Sequence, residues 1–206
     1  MSGVDLYVAL ALGIGLAAAS GFRVFIPPFL YGLATRFDLN PTAFAGSDMQ
    51  AWMASDVGLT VLGAAVVCEL LAYYIPWLDN LLDAIASPAA VVGGMVLMSS
   101  SLGELDPVLR WSTSIIVGGT TSGTVQVTTV GVRALSTAST GGLGNPLVST
   151  VEAAACLVCT VLALLLPLLA MALVVTGLIV GGRWLLRRRA MKGADGVALV
   201  PMNPQT

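Results

Sequence analysis

Apolar residues fill five stretches of the chain, at about 5–35, 56–76, 84–100, 111–136 and 147–186. Polar links separate them at 36–55, 101–110 and 137–147. A helix that crosses a bilayer needs about 20 residues at 1.5 Å rise. The last stretch, at about 58 Å if continuous, therefore holds two passes, or one pass and a re-entrant piece, with Pro167 as the natural break. The pattern predicts an all-α polytopic membrane protein of about six spans.

Composition supports that class. Of 206 residues, 57% are hydrophobic and only 10% are charged, and the mean hydropathy of +0.92 is well above the balance of a soluble domain. The chain contains no histidine, which removes the usual acid–base group near neutral pH and the commonest metal ligand. Cys156 and Cys159 form a C-x-x-C, but within the apolar run "AAACLVCTVLALLLP" and without soft ligands to complete a tetrahedral site, so they read as small packing residues. No cofactor and no nucleic-acid partner are expected. The N-terminal "MSGVDLYVALALGIGLAAASG" reads as a first span, because Asp5 stands where a cleaved leader would carry Lys or Arg.

Charge orients the spans. "GGRWLLRRRAMK" gathers Arg183, Arg187, Arg188, Arg189 and Lys192, whereas the links at 36–55 and 101–110 are acidic or balanced. The positive-inside rule makes the C-terminal side cytoplasmic, and an even number of spans brings the N-terminus there too. One turn is poorly marked: "LALLLPLLAMAL" around Pro167 offers no polar side chain to an outer surface.

The chain also shows internal repetition. "VVCELLAYYIP" at 66–76 aligns without a gap with "LVCTVLALLLP" at 157–167, matching Cys68 with Cys159 and Pro76 with Pro167. A "VVGG" or "IVGG" follows each proline, and a Ser-Gly step precedes each in "ASGFRVF" and "TSGTVQV". The expected organisation is a three-span unit at 1–100, a second at 101–190 and a flexible cytoplasmic tail at 191–206. An odd number of passes per unit makes the repeat inverted.

The Ser-Gly steps are expected to break their helices. Glycine costs about 1 kcal/mol in a helix and proline about 3, so "SGFRVFIPP" favours unwinding. Paired broken helices in inverted halves point to a solute site near the midplane. Ser20, Gly21 and Arg23 from the first half, with Ser122, Gly123 and Gln126 from the second, are the candidate binding residues. The alternative is that the glycines only let helices pack closely. An arginine inside a span costs about 2.5 to 3.5 kcal/mol and meets water, a carboxylate or a ligand. Glu69, deep in its span, and Glu152 are its candidate partners in ion pairing or proton coupling, although Glu152 could equally serve as a carboxylate favoured by a helix N-terminus. Asp79 and Asp83, spaced i and i+4, could bind a divalent ion, but a solvated face explains them more simply. "STGGLGNP" is a tight turn before a span and lacks the lysine of a phosphate loop.

"GLAAASGFRVFIPPFL", "IPWLDNLLDAIASPAAVVGG" and "STGGLGNP" with a glutamate in the following span resemble the bacterial membrane family called domain of unknown function 4126, over about residues 8–182. The resemblance implies a bacterial inner-membrane protein and brings no activity or site residues with it. The expected function is a small transporter or channel for a polar or anionic solute, working as a homodimer among membrane lipids. The alternatives are an intramembrane enzyme acting on a lipid or isoprenoid headgroup through Asp79, Asp83 and Glu69, or a non-transporting scaffold.

Overall fold

The structure is a computed structural model. It describes the backbone of residues 3–39, 47–72 and 76–197, and within these the side chains apart from those at 76–84, 184–186 and 188–197. All regular structure among the described residues is helical. In chain order the helices are α1 (Gly3–Phe22), α2 (Ile26–Arg36), α3 (Asp48–Ala54), α4 (Asp56–Ala72), α5 (Pro76–Ser101), α6 (Pro107–Thr113), a π-helical turn at Ser114–Gly118, α7 (Gly119–Thr140), α8 (Asn145–Leu165) and α9 (Pro167–Val197). The chain divides into two compact units, Met1–Met171 and Ala172–Thr206. The second consists, among the described residues, of the rest of α9 and carries Arg183 and Arg187 at exposed positions.

α1 and α8 are each long and apolar enough to cross a membrane. α3 and α4 would form a third span if taken together, bent by 71° at Ser55, and Ile85–Ser101 and Pro167–Arg183 are shorter apolar helices. The bend has a local cause. The Ser55 hydroxyl accepts the Gly58 N–H at 3.0 Å, so the same residue that ends α3 caps the start of α4.

α1 is the hub of the first unit and packs against α5, α7 and α8. Its Ala9, Ala11, Leu16, Ala17 and Ala19 are completely buried, as expected for a helix that is apolar on every side and surrounded by other helices. Leu12 and Leu16 lie in the main core with Tyr31 of α2, Met53 of α3, Leu62 of α4, Leu97 of α5 and Ala163 of α8. Small residues set how closely the helices approach. A Cβ on Gly21 would stand 2.5 Å from the Ser122 carbonyl oxygen and 2.6 Å from Val125 Cβ; one on Gly94 would stand 2.6 Å from Ser122 Cβ. The two Ser-Gly steps thus meet, with Gly94 of α5 against Ser122 and Gly93 against Ser20. This is the close packing of small residues by which membrane helices associate.

That crossing leads to a prediction. Gly94→Ala should destabilise the protein by about 1 to 3 kcal/mol through overpacking, despite the gain in helix propensity. Gly131→Ala, on α7 with nothing within 4 Å of its new methyl, should be neutral or stabilising by up to about 1 kcal/mol. Thermal unfolding of the two purified variants in detergent checks the contrast, and equal melting temperatures would refute it.

The helix breaks differ from expectation in position and kind. α1 runs through Ser20 and Gly21 to Phe22, and the interruption covers Arg23–Phe25. Packing offsets the modest cost of one glycine. Pro27 and Pro28, which cannot donate a hydrogen bond, instead fix where the next helix starts. In the second half, "TSGTVQV" lies within continuous α7, and the irregularity is the π-helical turn just upstream. No proline follows there, and the Ser122 hydroxyl donates to the Gly118 and Gly119 carbonyls at 2.9 and 3.2 Å, within its own helix.

The "STGGLGNP" turn is as read. Gly141 and Gly142 have φ of 64° and 92°, the left-handed region that glycine adopts without strain, and α8 begins at Asn145-Pro146. Pro76 and Pro167, matched in the repeat, each open a helix that follows an apolar one.

Candidate functional site

The site is built around the interruption at Arg23–Phe25. A helix start leaves backbone N–H groups unsatisfied, and the N-cap residue of α2, Phe25, has no side-chain group to cap them. Glu69 reaches across from α4 to do so: its carboxylate accepts the Val24 N–H at 2.9 Å through Oε1 and the Phe25 N–H at 3.1 Å through Oε2. Two oxygens of one carboxylate thus take two successive amides at the positive end of α2, where an anion is favoured.

The Arg23 side chain turns toward α8. Its Nη2 donates to the Ser149 carbonyl at 2.6 Å and lies 3.8 Å from Glu152 Oε2. Of its two candidate partners, then, Glu152 receives the guanidinium, while Glu69 takes the backbone of the same break. α8 presents Asn145, Ser149, Glu152, Cys156 and Thr160 along one buried face, the i, i+3, i+4 spacing of a single helical stripe. Glu152 stands beyond the first turn of α8, with its carboxylate engaged by arginines.

The second arginine is Arg133 of α7, a residue absent from the sequence expectations. Its Nε donates to both oxygens of Glu152, at 3.2 and 3.0 Å, and its Nη2 makes a further short contact with Oε2. This forked geometry is the one in which guanidinium binds carboxylate most strongly. Its signal was available in "VGVRALST", where an arginine interrupts the 111–136 run as Arg23 interrupts the first.

Arg23, Glu69, Arg133 and Glu152 are exposed by only 2, 4, 4 and 6%. Four charged side chains from three helices and the helix interruption are therefore collected out of solvent, two of each sign. Burying one charge alone would cost several kcal/mol, so these groups are held by opposite charge and hydrogen bonds to one another and to the backbone.

The remaining candidate residues lie elsewhere. Ser20 donates to the Ala90 carbonyl at 3.4 Å, and Gln126 Nε2 donates to Ser87 Oγ at 3.4 Å. Gly123 approaches Val91. Ser20, Gly21, Ser122, Gly123 and Gln126 thus form the seam where α1 and α7 pack with α5, whereas Arg23 belongs to the charged cluster beside α8. Cys156 and Cys159 face α1, with Sγ donating to the Ala19 and Gly15 carbonyls at 3.3 and 3.6 Å. Asp79 and Asp83 fall in α5, but their side chains lie outside the described set.

No curated protein and no solved structure matches the chain. A family model described as Domain of unknown function (DUF4126) matches residues 10–188, so most of the helical body, with all four residues of the buried charge cluster, falls inside it, and the chain belongs to that family.

Proposed function

We propose that the protein is a small transporter or channel of a bacterial inner membrane, which passes a polar or anionic solute past the Arg23–Phe25 interruption. In this reading about six spans form two inverted three-span units, 1–100 and 101–190, both termini are cytoplasmic, and two copies associate. The observation that carries it is the four-charge cluster. Ionisable side chains within an apolar helical body are expensive, and where they occur they mark solute or ion pathways. An interrupted helix whose second half offers backbone N–H groups is the feature by which many carriers hold anionic groups.

The test is uptake into liposomes containing the purified protein, with a panel of small organic and inorganic anions as labelled solutes. At least one should accumulate above protein-free liposomes, and Arg23→Gln should abolish that accumulation. Metal-dependent turnover of a lipid without uptake would support the enzyme instead.

Topology gives a separate prediction. In a variant with Cys68, Cys156 and Cys159 replaced by alanine and Asn203→Cys added, a membrane-impermeant maleimide should label the protein only after the cells are permeabilised. Labelling in intact cells would overturn the cytoplasmic assignment.

A further inference from the structure

We infer that the charged cluster is reached from one face of the protein only, the face that carries the Gly141–Gly144 turn. The route is a polar passage between α7 and α8, closed at its outer end by Thr137 and Asn145, and it admits water and a small polar or anionic solute. The solute part rests on the carrier reading; the passage itself does not.

Helix directions place the cluster. α8 runs antiparallel to α1: Cys159 meets Gly15, Cys156 meets Ala19, and Ser149 takes the Arg23 guanidinium. α7 runs parallel to α1, with Val117 packed near Leu6 and Ala9, and Ser122 and Val125 against Gly21. α1 ends at Phe22, whereas α7 and α8 continue past that end to the turn that joins them. Beyond the interruption they meet each other, and the joins are polar. Arg133 forks onto Glu152 at the inner rung. Thr137 and Asn145 form the outer one, with Asn145 Nδ2 donating to Thr137 Oγ1 at 3.1 Å. The rungs are four residues apart on α7 and seven on α8, about 6 and 10.5 Å of helix. Ser149 stands between them, on the same buried face of α8 as Asn145 and Glu152. It is 3% exposed, and its Oγ has no hydrogen-bond partner among the described residues, although buried hydroxyls are normally bonded. That hydroxyl can donate to, or accept from, water or a solute between the rungs.

The opposite direction is closed by packing. One turn past Glu152, Cys156 is packed with Ala19 and Ile26. Beyond them Leu12, Leu16, Ala163 and Leu164 belong to the main core. The Thr160 hydroxyl on that stretch of α8 is turned back on its own helix, where it donates to the Cys156 carbonyl at 2.8 Å. A hydrated solute moving that way would have to shed its water among apolar side chains, which is strongly unfavourable. α5 also runs past the interruption, with Ala86 and Ala90 packed on Val24, and its side chains at 76–84 lie outside the described set. The cluster therefore has polar groups leading to the turn and a packed apolar floor behind it.

The test uses the full-length protein in sealed membrane vesicles of both orientations, with Cys68, Cys156 and Cys159 replaced by alanine and a membrane-impermeant anionic methanethiosulfonate as the probe. Leu143→Cys in the turn reports one face. Glu104→Cys reports the other, because the adjoining Leu102 and Leu105 pack near Leu6 at the far end of α1. Ser149→Cys should react only in the orientation that modifies Leu143→Cys. Adding Thr137→Val should speed that reaction about fivefold, the factor given by one lost hydrogen bond of ordinary strength. In a variant that keeps Cys156 alone, this thiol should stay unmodified from the Glu104 face. Reaction of Ser149→Cys from the Glu104 face, or from neither face, overturns the inference, as does modification of Cys156 from the Glu104 face. An unchanged rate with Thr137→Val would refute closure by Thr137 and Asn145. Should Ser149→Cys not fold, Arg23→Cys at the inner end is the reporter, with the same outcomes. Uptake into liposomes separates the passage from the carrier reading. Reaction from the Leu143 face alone, without uptake of any solute, would keep the passage and remove the carrier; uptake with Ser149→Cys reactive from the Glu104 face would do the reverse.

Discussion

Glu152→Gln should lower the stability of the folded protein by about 3 to 5 kcal/mol, the cost of breaking a buried ion pair by removing one partner. Glu152 is the carboxylate held in the fork of Arg133, with Arg23 Nη2 3.8 Å away. Its neutralisation takes the forked partner from Arg133 and the neighbouring carboxylate from Arg23, while Glu69 stays engaged with the Val24 and Phe25 amides. Adding Arg133→Gln should recover most of the loss, because no forked partner is then left stranded. A second charge-matched double variant, Arg133→Gln with Glu69→Gln, keeps the same net charge but removes residues that are not bonded to each other, and it should be the less stable of the two. Thermal unfolding of the three variants beside wild type supplies the measurement. If Glu152→Gln melts within about 1 °C of wild type, or if the two double variants are equally stable, the pairing drawn from the geometry is wrong.

The helical class was legible because it depends on summed quantities. Long apolar stretches, almost no charge and polar links survive any local detail, and the left-handed glycines at 141 and 142 were marked by their own composition. Three charged members of the cluster were legible for a related reason: Arg23, Glu69 and Glu152 are each costly in an apolar run and so require partners. Arg133 satisfies the same criterion. Its place near the 137–147 link makes it resemble a charge at the end of a span. Which carboxylate meets which donor depends on how α4 and α8 lie around the interruption, and no periodicity in a single helix encodes that. The position of the interruption turned on a balance of small terms. A glycine penalty of about 1 kcal/mol is readily overridden by packing, whereas a proline pair cannot be accommodated within a helix. The Ser-Gly steps drew attention as breaks and proved to be the close crossing of α1 with α7. The same sequence feature thus carried the packing alternative and not the unwound backbone.

Arg23 and Arg133 should separate into different roles when each is replaced by glutamine, although both lie beside one glutamate. Arg133 projects from the continuous helix α7, so its position is fixed by the hydrogen bonds of that helix. Arg23 stands where α1 has ended and α2 has not begun, and its side chain can change partners without breaking a regular turn. Arg133→Gln is therefore expected to act mainly through stability, by about 3 to 5 kcal/mol. Arg23→Gln should leave a larger folded fraction and abolish solute binding, because a full charge and up to five donors disappear from the interruption. Arg23→Lys, which restores the charge but not the fork, should retain binding only in part. If Arg23 were only a structural partner of Glu152, Arg23→Gln would destabilise the protein as strongly as Arg133→Gln, and Arg23→Gln with Glu152→Gln would recover stability with uptake intact. Measuring melting temperature and liposome uptake on the same preparations distinguishes the two cases, since the solute-site role requires uptake to fall at least tenfold further than the loss of folded protein explains, about 1.4 kcal/mol of binding at minimum.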